Sequence, residues 1–161
     1  MPKRYLRIEV KHQRLICFDA EKALATYPVS TGEQGAGEQR DSGCTPRGKH
    51  RIRLKIGEGC SRDTVFVARR PTGEIFSEVL VEKNPDRDWI LTRILWLTGI
   101  ESGVNRGGQV DTLKRYVYIH GTPEEHLIGK PVSHGCIRMR NRDLIELFDW
   151  TENGMLVEIV E

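Results

Sequence analysis

Long apolar runs are missing from this sequence, and with them the usual means of reaching or crossing a membrane. The opening stretch MPKRYLRIEVKHQRL contains no run of seven or more apolar residues, so neither a signal peptide nor an anchor is expected. On the sequence as given, the protein is expected in the cytoplasm. An excess of one charge is lacking too. Twenty-five basic and 23 acidic residues are mixed along 161 positions, for a net charge of +2, so no continuous basic face is expected for nucleic acid. Cysteine is sparse: Cys17, Cys44, Cys60 and Cys136 are expected as reduced thiols, and a Cys44–Cys60 disulfide would require an oxidising compartment. Internal repeats, low-complexity tracts and linkers are absent. A composition of 38% hydrophobic and 30% charged residues then suits one globular domain over residues 1–161.

The pattern that is present is mainly β. RYLRIEV sets Leu6, Ile8 and Val10 at period two, QRLICFD follows, and a turn near residues 11–13 makes a hairpin of the two. LATYPVSTG and KHRIRLKIGEG read as third and fourth strands, EIFSEVLVE and DWILTRILWLTG as two more, RYVYIHGT as a strand ending at His120, and MLVEIV as the last. Between the third and fourth, TGEQGAGEQRDSGCTPRG is too glycine-rich for regular structure and too long for an ordinary connection, which predicts a functional lid or a mobile loop. ESGVNRGGQVDT is another polar loop. One helix is expected at about 141–152, capped by Asn141, with Leu144, Ile145 and Phe148 on one face and Gly154 beyond its end.

Reactive side chains crowd one stretch only, IHGTPEEHLIGKPVSHGCIRM, residues 119–139. Zinc is disfavoured there, because only His134 and Cys136 are closely spaced and structural zinc draws paired ligands from two turns. No metal and no cofactor are expected. A purely structural role leaves Gly135 unexplained, since glycine costs conformational entropy unless close backbone approach uses it. Nucleophilic catalysis explains more residues together. Cys136 would attack as thiolate, and a histidine would form an ion pair with it or take its proton. His120, at a strand end, can approach from a neighbouring strand, and a carbonyl at Gly121 or Thr122 could fix its tautomer. Amides around Gly135 and Cys136, with the His134 side chain, could hold an acyl-transfer oxyanion.

The HGT at 120–122 followed by SHGCIRM at 133–139 closely resembles the catalytic domain of the YkuD-type L,D-transpeptidases. YPVSTG and, beyond the loop, TPRGKHRI resemble that family's recurring upstream segment. The resemblance covers residues 5–56 and about 86–161, with a loose match between. It implies a mainly β, sandwich-like fold with a short helix and the cysteine under a loop or lid. It implies as substrate a peptidoglycan stem tetrapeptide or a soluble muropeptide, cut between the L-centre of the third, diamino residue and the terminal D-alanine. In that scheme Cys136 forms the thioester, His120 is the base, and Ser133, His134 and Gly135 shape the oxyanion site; acylation by carbapenems is implied as well. An amine acceptor would give a cross-link or a D-amino acid exchange product, and water would make the protein an L,D-carboxypeptidase or another thiol amidase acting on the same bond. Many members carry asparagine two residues after the cysteine, where this chain has Arg138.

Arg138 and Arg106 are candidate contacts for stem carboxylates, and Gly121 and Thr122 border the same segment. Trp89 and Trp96 read as core, and His12, His50 and His126 as surface or packing residues, with His126 near enough in sequence to touch substrate. A non-catalytic wall-fragment-binding module is the alternative from another class, and the intact pair of His120 and Cys136 argues against it. Because the wall polymer lies outside the cytoplasm, a cytoplasmic location implies soluble precursors or recycled fragments, and a trimmed or otherwise exported chain would be periplasmic.

Overall fold

Period-two alternation in the first twenty residues becomes a hairpin in the computed structural model, which describes residues 3–161. Strands β1 (Arg4–Glu9) and β2 (Arg14–Asp19) pair antiparallel and send Leu6, Ile8, Leu15 and Cys17 into the core. Their turn depends on Gln13, whose φ is +48°. Its side-chain amide donates to the Thr31 hydroxyl at 2.7 Å and accepts from the Thr31 N–H at 2.9 Å, tying the hairpin to the start of the long loop.

Strand β3 (Lys22–Pro28) flanks β2, while β4 (Gly48–Ile56), β7 (Ile90–Gly99) and β10 (Leu156–Val160) build the middle of the sheet. A hairpin of β5 (Thr64–Val67) and β6 (Arg70–Ile75) extends it, giving the order β3-β2-β1-β10-β4-β7-β5-β6. β1 and β10 run parallel, as do β8 (Tyr118–Gly121) and β9 (Ile137–Met139). The network branches at β7, from which β8 and then β9 leave the main path. Both branches face one apolar cluster, in which Ile119, Ile137 and Met139 meet Leu6, Ile8, Val157 and Ile159. This is the mainly β architecture that the pattern predicts, with the mixed sheet and short helix of the fold that the resemblance implies.

Helix α2 (Asn141–Trp150) seals that cluster with Leu144, Leu147 and Phe148. Its start and end differ from expectation. Arg140, not Asn141, occupies the capping position and makes no side-chain cap. The Asn141 side chain is instead buried, accepting from the Thr92 hydroxyl at 2.6 Å and donating to the Thr122 carbonyl at 2.9 Å. The helix closes at Thr151, whose hydroxyl and N–H both turn back to the Phe148 carbonyl, and Gly154 lies in the following turn.

EIFSEVLVE is not one strand. β6 ends at Ile75, and α1 (Glu78–Lys83) begins after Ser77, whose hydroxyl accepts from the Leu80 N–H. Serine ahead of a first-turn glutamate and a last-turn lysine favours helix ends, and α1 has no buried residue that would hold it to a sheet.

Candidate active site

Three separate stretches of sequence meet around Cys136. The VSTG stretch lies along the SHGC stretch: Ser30 and Arg138 exchange backbone hydrogen bonds at 2.9 and 2.8 Å, the Ser133 N–H donates to Thr31 O, and Glu33 N–H donates to Ser133 O. From the TPRG stretch, the buried Thr45 hydroxyl donates to the Gly135 carbonyl at 2.9 Å and accepts from the Gly32 N–H at 2.9 Å. These bonds fix the turn that carries the cysteine. Gly135 has φ +122°, and a β-carbon there would stand 3.0 Å from the Cys44 carbonyl oxygen. The glycine is required both by its φ and by the backbone facing it.

The register of β8 against β9 pairs Ile119 with Ile137 and His120 with Arg138. Extending it by one residue sets Cys136 beside Tyr118. Since paired side chains share a face and alternate along a strand, Tyr118, His120, Cys136 and Arg138 fall on one face, with Cys136 diagonal to His120. The sulfur is held against β8: Sγ accepts from the Tyr118 N–H at 3.3 Å and donates to the Tyr116 carbonyl at 3.5 Å. Nδ1 of His120 lies 2.7 Å from the Gly121 carbonyl. A carbonyl can only accept, so Nδ1 carries the proton and Nε2 keeps its lone pair.

Burial sets the charge state of both groups. It pushes the Cys136 thiol up to about 11, against the opposing pull of the Tyr118 N–H. It also pushes His120 below the usual histidine range, with the Gly121 carbonyl opposing. At neutral pH the resting pair is therefore thiol and neutral imidazole, not an ion pair.

The candidate oxyanion donors divide. Gly135 N–H donates to the Ser133 hydroxyl at 3.1 Å, and that hydroxyl donates to the Cys136 carbonyl at 2.5 Å. Both groups are consumed in holding the turn. The N–H groups of His134 and Cys136 have no acceptor among the described residues, which makes them the available donors. The His134 ring is exposed and stands between two clefts. One, of about 210 Å³, is lined by residues 85–89, Thr122, Pro123, Glu124, His134 and Arg138. The other, of about 350 Å³, is lined by Arg40, Asp41, Gly43, Lys114, Arg115, Tyr116 and His134.

A family model described as the YkuD L,D-transpeptidase catalytic domain matches residues 3–159. The chain belongs to the L,D-transpeptidase catalytic-domain family. A stretch of 46 residues is 52% identical to proteins named L,D-transpeptidase YkuD from Bacillus licheniformis and Bacillus subtilis, covering 29% of this chain and 28% of each relative. Among solved structures, L,D-transpeptidase 3 from Mycobacterium tuberculosis in complex with a faropenem-derived adduct aligns with TM-score 0.61 at 16% identity, over 99% of this chain and 61% of that one. An L,D-transpeptidase from Mycobacterium smegmatis aligns with TM-score 0.56 at 17% identity, over 99% of this chain and 59% of that one. The matches span under two thirds of each of these relatives, and the structural likeness is one of fold.

Within this L,D-transpeptidase fold the other expected residues separate clearly. Thr122, His134 and Arg138 line the first cleft. Gly121 is buried under Asn141 and Leu91 and contributes its carbonyl, so its place is beneath the site and not on its surface. Arg106 is exposed in the loop between β7 and β8 and lines neither cleft; its carbonyl closes a turn by accepting from the Gly103 N–H. His126, on a helical turn at Glu125–Leu127, is likewise outside both clefts. Trp89 is only half-buried and forms a wall of the first cleft, edge-on to Phe76 and beneath the Arg87 guanidinium. His50 is fully buried, and all four cysteines are free thiols.

Several residues at the site carried no local signal. Arg115 donates to the carbonyls of Gly37, Glu38 and Cys44, holding the long loop so that it borders the second cleft. Tyr116 and Tyr118 bracket the sulfur with backbone groups. Asp88 and Glu124 each come within 3.7 Å of the Arg138 guanidinium.

Proposed function

We propose that this chain is a cysteine acyltransferase for peptidoglycan stem tetrapeptides. Cys136 attacks the carbonyl that joins the L-centre of the third, diamino residue to the terminal D-alanine. The observation that supports this most directly is the His120 imidazole, whose Nδ1–H is committed to Gly121 O, leaving Nε2 its lone pair on a side chain that shares its face of the sheet with Cys136.

Since both groups start neutral, the proton moves as the bond forms. Sγ bonds to the carbonyl carbon and the S–H proton passes to Nε2 of His120. The oxyanion is held by the N–H groups of His134 and Cys136. The carbon–nitrogen bond then breaks, D-alanine leaves with the proton from His120, and the acyl group remains on sulfur. An incoming amine attacks the thioester, gives its proton to His120, and the carbon–sulfur bond breaks. His120 returns that proton to the sulfur.

Exposure of His134 and Tyr116 on the two clefts favours hydrolysis as the second reading, because water can reach the thioester. Incubation with a purified tetrapeptide muropeptide, followed by mass spectrometry, separates the outcomes. A cross-linked dimer or a D-amino acid exchange product supports transfer, and a tripeptide supports carboxypeptidase action. Cys136→Ala should abolish all of them, and turnover by that variant would overturn the assignment.

A further inference from the structure

Strand β7 departs from regular pairing opposite the base. Leu91 pairs with Gly121, yet the partner of His120 is Ile94, so Thr92 and Arg93 bulge out across from the His120–Gly121 junction. Bulges beside reacting groups serve to re-aim them. This one is strained, because Thr92 has φ +77°, a conformation that a β-branched residue rarely adopts. Such strain persists only where the surroundings over-determine it, and here they do. The buried Thr92 hydroxyl accepts from the Asp63 N–H at 3.1 Å and donates to Asn141 Oδ1 at 2.6 Å, while the Thr92 carbonyl accepts from Arg93 Nη1 at 2.6 Å.

Chemistry fixes the orientation of the buried Asn141 amide. The Thr122 carbonyl can only accept, so Nδ2 faces it at 2.9 Å and Oδ1 faces the Thr92 hydroxyl. Glu125 Oε2 accepts from Asn141 Nδ2 at 3.3 Å and from the Asn141 N–H at 2.8 Å. Asn141 also presses on Gly121: a β-carbon there would collide with Asn141 Oδ1 and stand 2.6 Å from the Leu91 carbonyl oxygen. One amide thus grips both ends of the peptide group whose carbonyl, Gly121 O, holds Nδ1–H of His120 at 2.7 Å.

We propose that Asn141 and Thr92 are positioning residues for the base. Neither lines a cleft. Acting through the Gly121 carbonyl, they fix His120 in the tautomer that leaves Nε2 free to take the thiol proton. The kinetic consequence rests on the acyltransferase reading, whereas the effect on the tautomer does not. Asparagine is required at 141, because aspartate has the same shape but would set a carboxylate against the Thr122 carbonyl and the Glu125 carboxylate.

The test is NMR of the His120 ring nitrogens in ¹⁵N-labelled protein, beside carbapenem acylation of Cys136 followed by mass spectrometry. In the wild type Nδ1 should carry a slowly exchanging proton and Nε2 should show the shift of an unprotonated nitrogen. In Asn141→Asp and in Thr92→Val this single-tautomer signature should become mixed. The maximal acylation rate should fall by about ten- to a hundred-fold, with the half-saturating drug concentration within about three-fold of the parent. Thr92→Ser keeps the hydroxyl and should match the wild type in both readouts. Leu147→Ala, which removes core packing from the same helix, should lower Tm and leave the His120 signals unchanged. A single tautomer that survives in Asn141→Asp and Thr92→Val, or an equal loss of it in Thr92→Ser or Leu147→Ala, overturns the proposal. Should Asn141→Asp fail to fold, Thr92→Val decides alone. Absence of any acylation in the wild type, by carbapenem or by tetrapeptide donor, defeats the functional reading, and the ring-nitrogen signature still decides the positioning.

Discussion

Replacing Gly135 by alanine isolates the turn that presents the cysteine. Two penalties add. A φ of +122° costs a residue with a β-carbon about 1–3 kcal/mol. The new methyl would stand 3.0 Å from the Cys44 carbonyl oxygen, which is backbone and is held at 2.7 Å by Arg115. Neither partner yields cheaply, and a loss of about 2–4 kcal/mol in unfolding free energy is expected. The displacement passes directly to the next residue, because Gly135 O is fixed by Thr45 and Gly135 N–H by Ser133. Misplacing a nucleophile by about 1 Å can cost about a hundred-fold in rate. Carbapenem acylation of Cys136, followed by intact-protein mass spectrometry, should therefore slow by about that factor. Gly129→Ala is the control: φ there is +104° with nothing within 4 Å, so strain is present without the clash. It should lose stability alone. Acylation of Gly135→Ala within three-fold of the parent would refute the reasoning.

Four further outcomes follow from the same geometry. Ser133→Ala leaves the Gly135 N–H and the Cys136 carbonyl without their partner, and denaturant titration should show a loss of about 2–4 kcal/mol. With the thiol at about 11, alkylation of Cys136 by iodoacetamide should rise about ten-fold per pH unit from pH 7 to 10; a plateau by pH 8 would contradict a neutral resting pair. His50 is buried, with its pKa pushed from 6.5 down to about 4; because the folded value is the lower, its contribution is complete above 6.5 and lost as pH falls towards 4. Up to about 3 kcal/mol should disappear across that window, and His50→Asn should flatten this part of the profile. Arg115→Met removes the three carbonyl contacts to the long loop, and amide exchange at Arg40 and Thr45 should quicken by about ten-fold or more.

Legibility followed the distance over which each signal acts. Alternation revealed β1 and β4, and apolar, branched and aromatic content revealed β2 and β7, whose Leu15, Cys17, Leu95 and Leu97 join Leu6, Ile8 and Ile52 in one continuous cluster. The hairpin of β5 and β6 gave no such signal. Its two-residue turn is Ala68–Arg69, both at positive φ, where asparagine or glycine would normally announce a reversal, and β6 reads RPTGEI with little buried surface. What fixes that turn is remote: the Arg69 guanidinium donates to the Tyr118 hydroxyl at 3.0 Å and lies over Tyr116 and Trp96.

The active site divides in the same way. His120, Ser133, Gly135 and Cys136 were readable because neighbouring residues dictate one another there: a hydroxyl two positions back holds the glycine N–H, and the glycine permits the close approach to Cys44. Arg138 was readable as a candidate contact, but its burial and its acidic neighbours were not. Its burial comes from pairing with Ser30 and His120, and its acidic surroundings come from residues 50 and 14 positions away. The turn that presents the cysteine is thus encoded locally, in residues that hold one another's backbone. The acidic surroundings of Arg138 are set instead by contacts between distant segments.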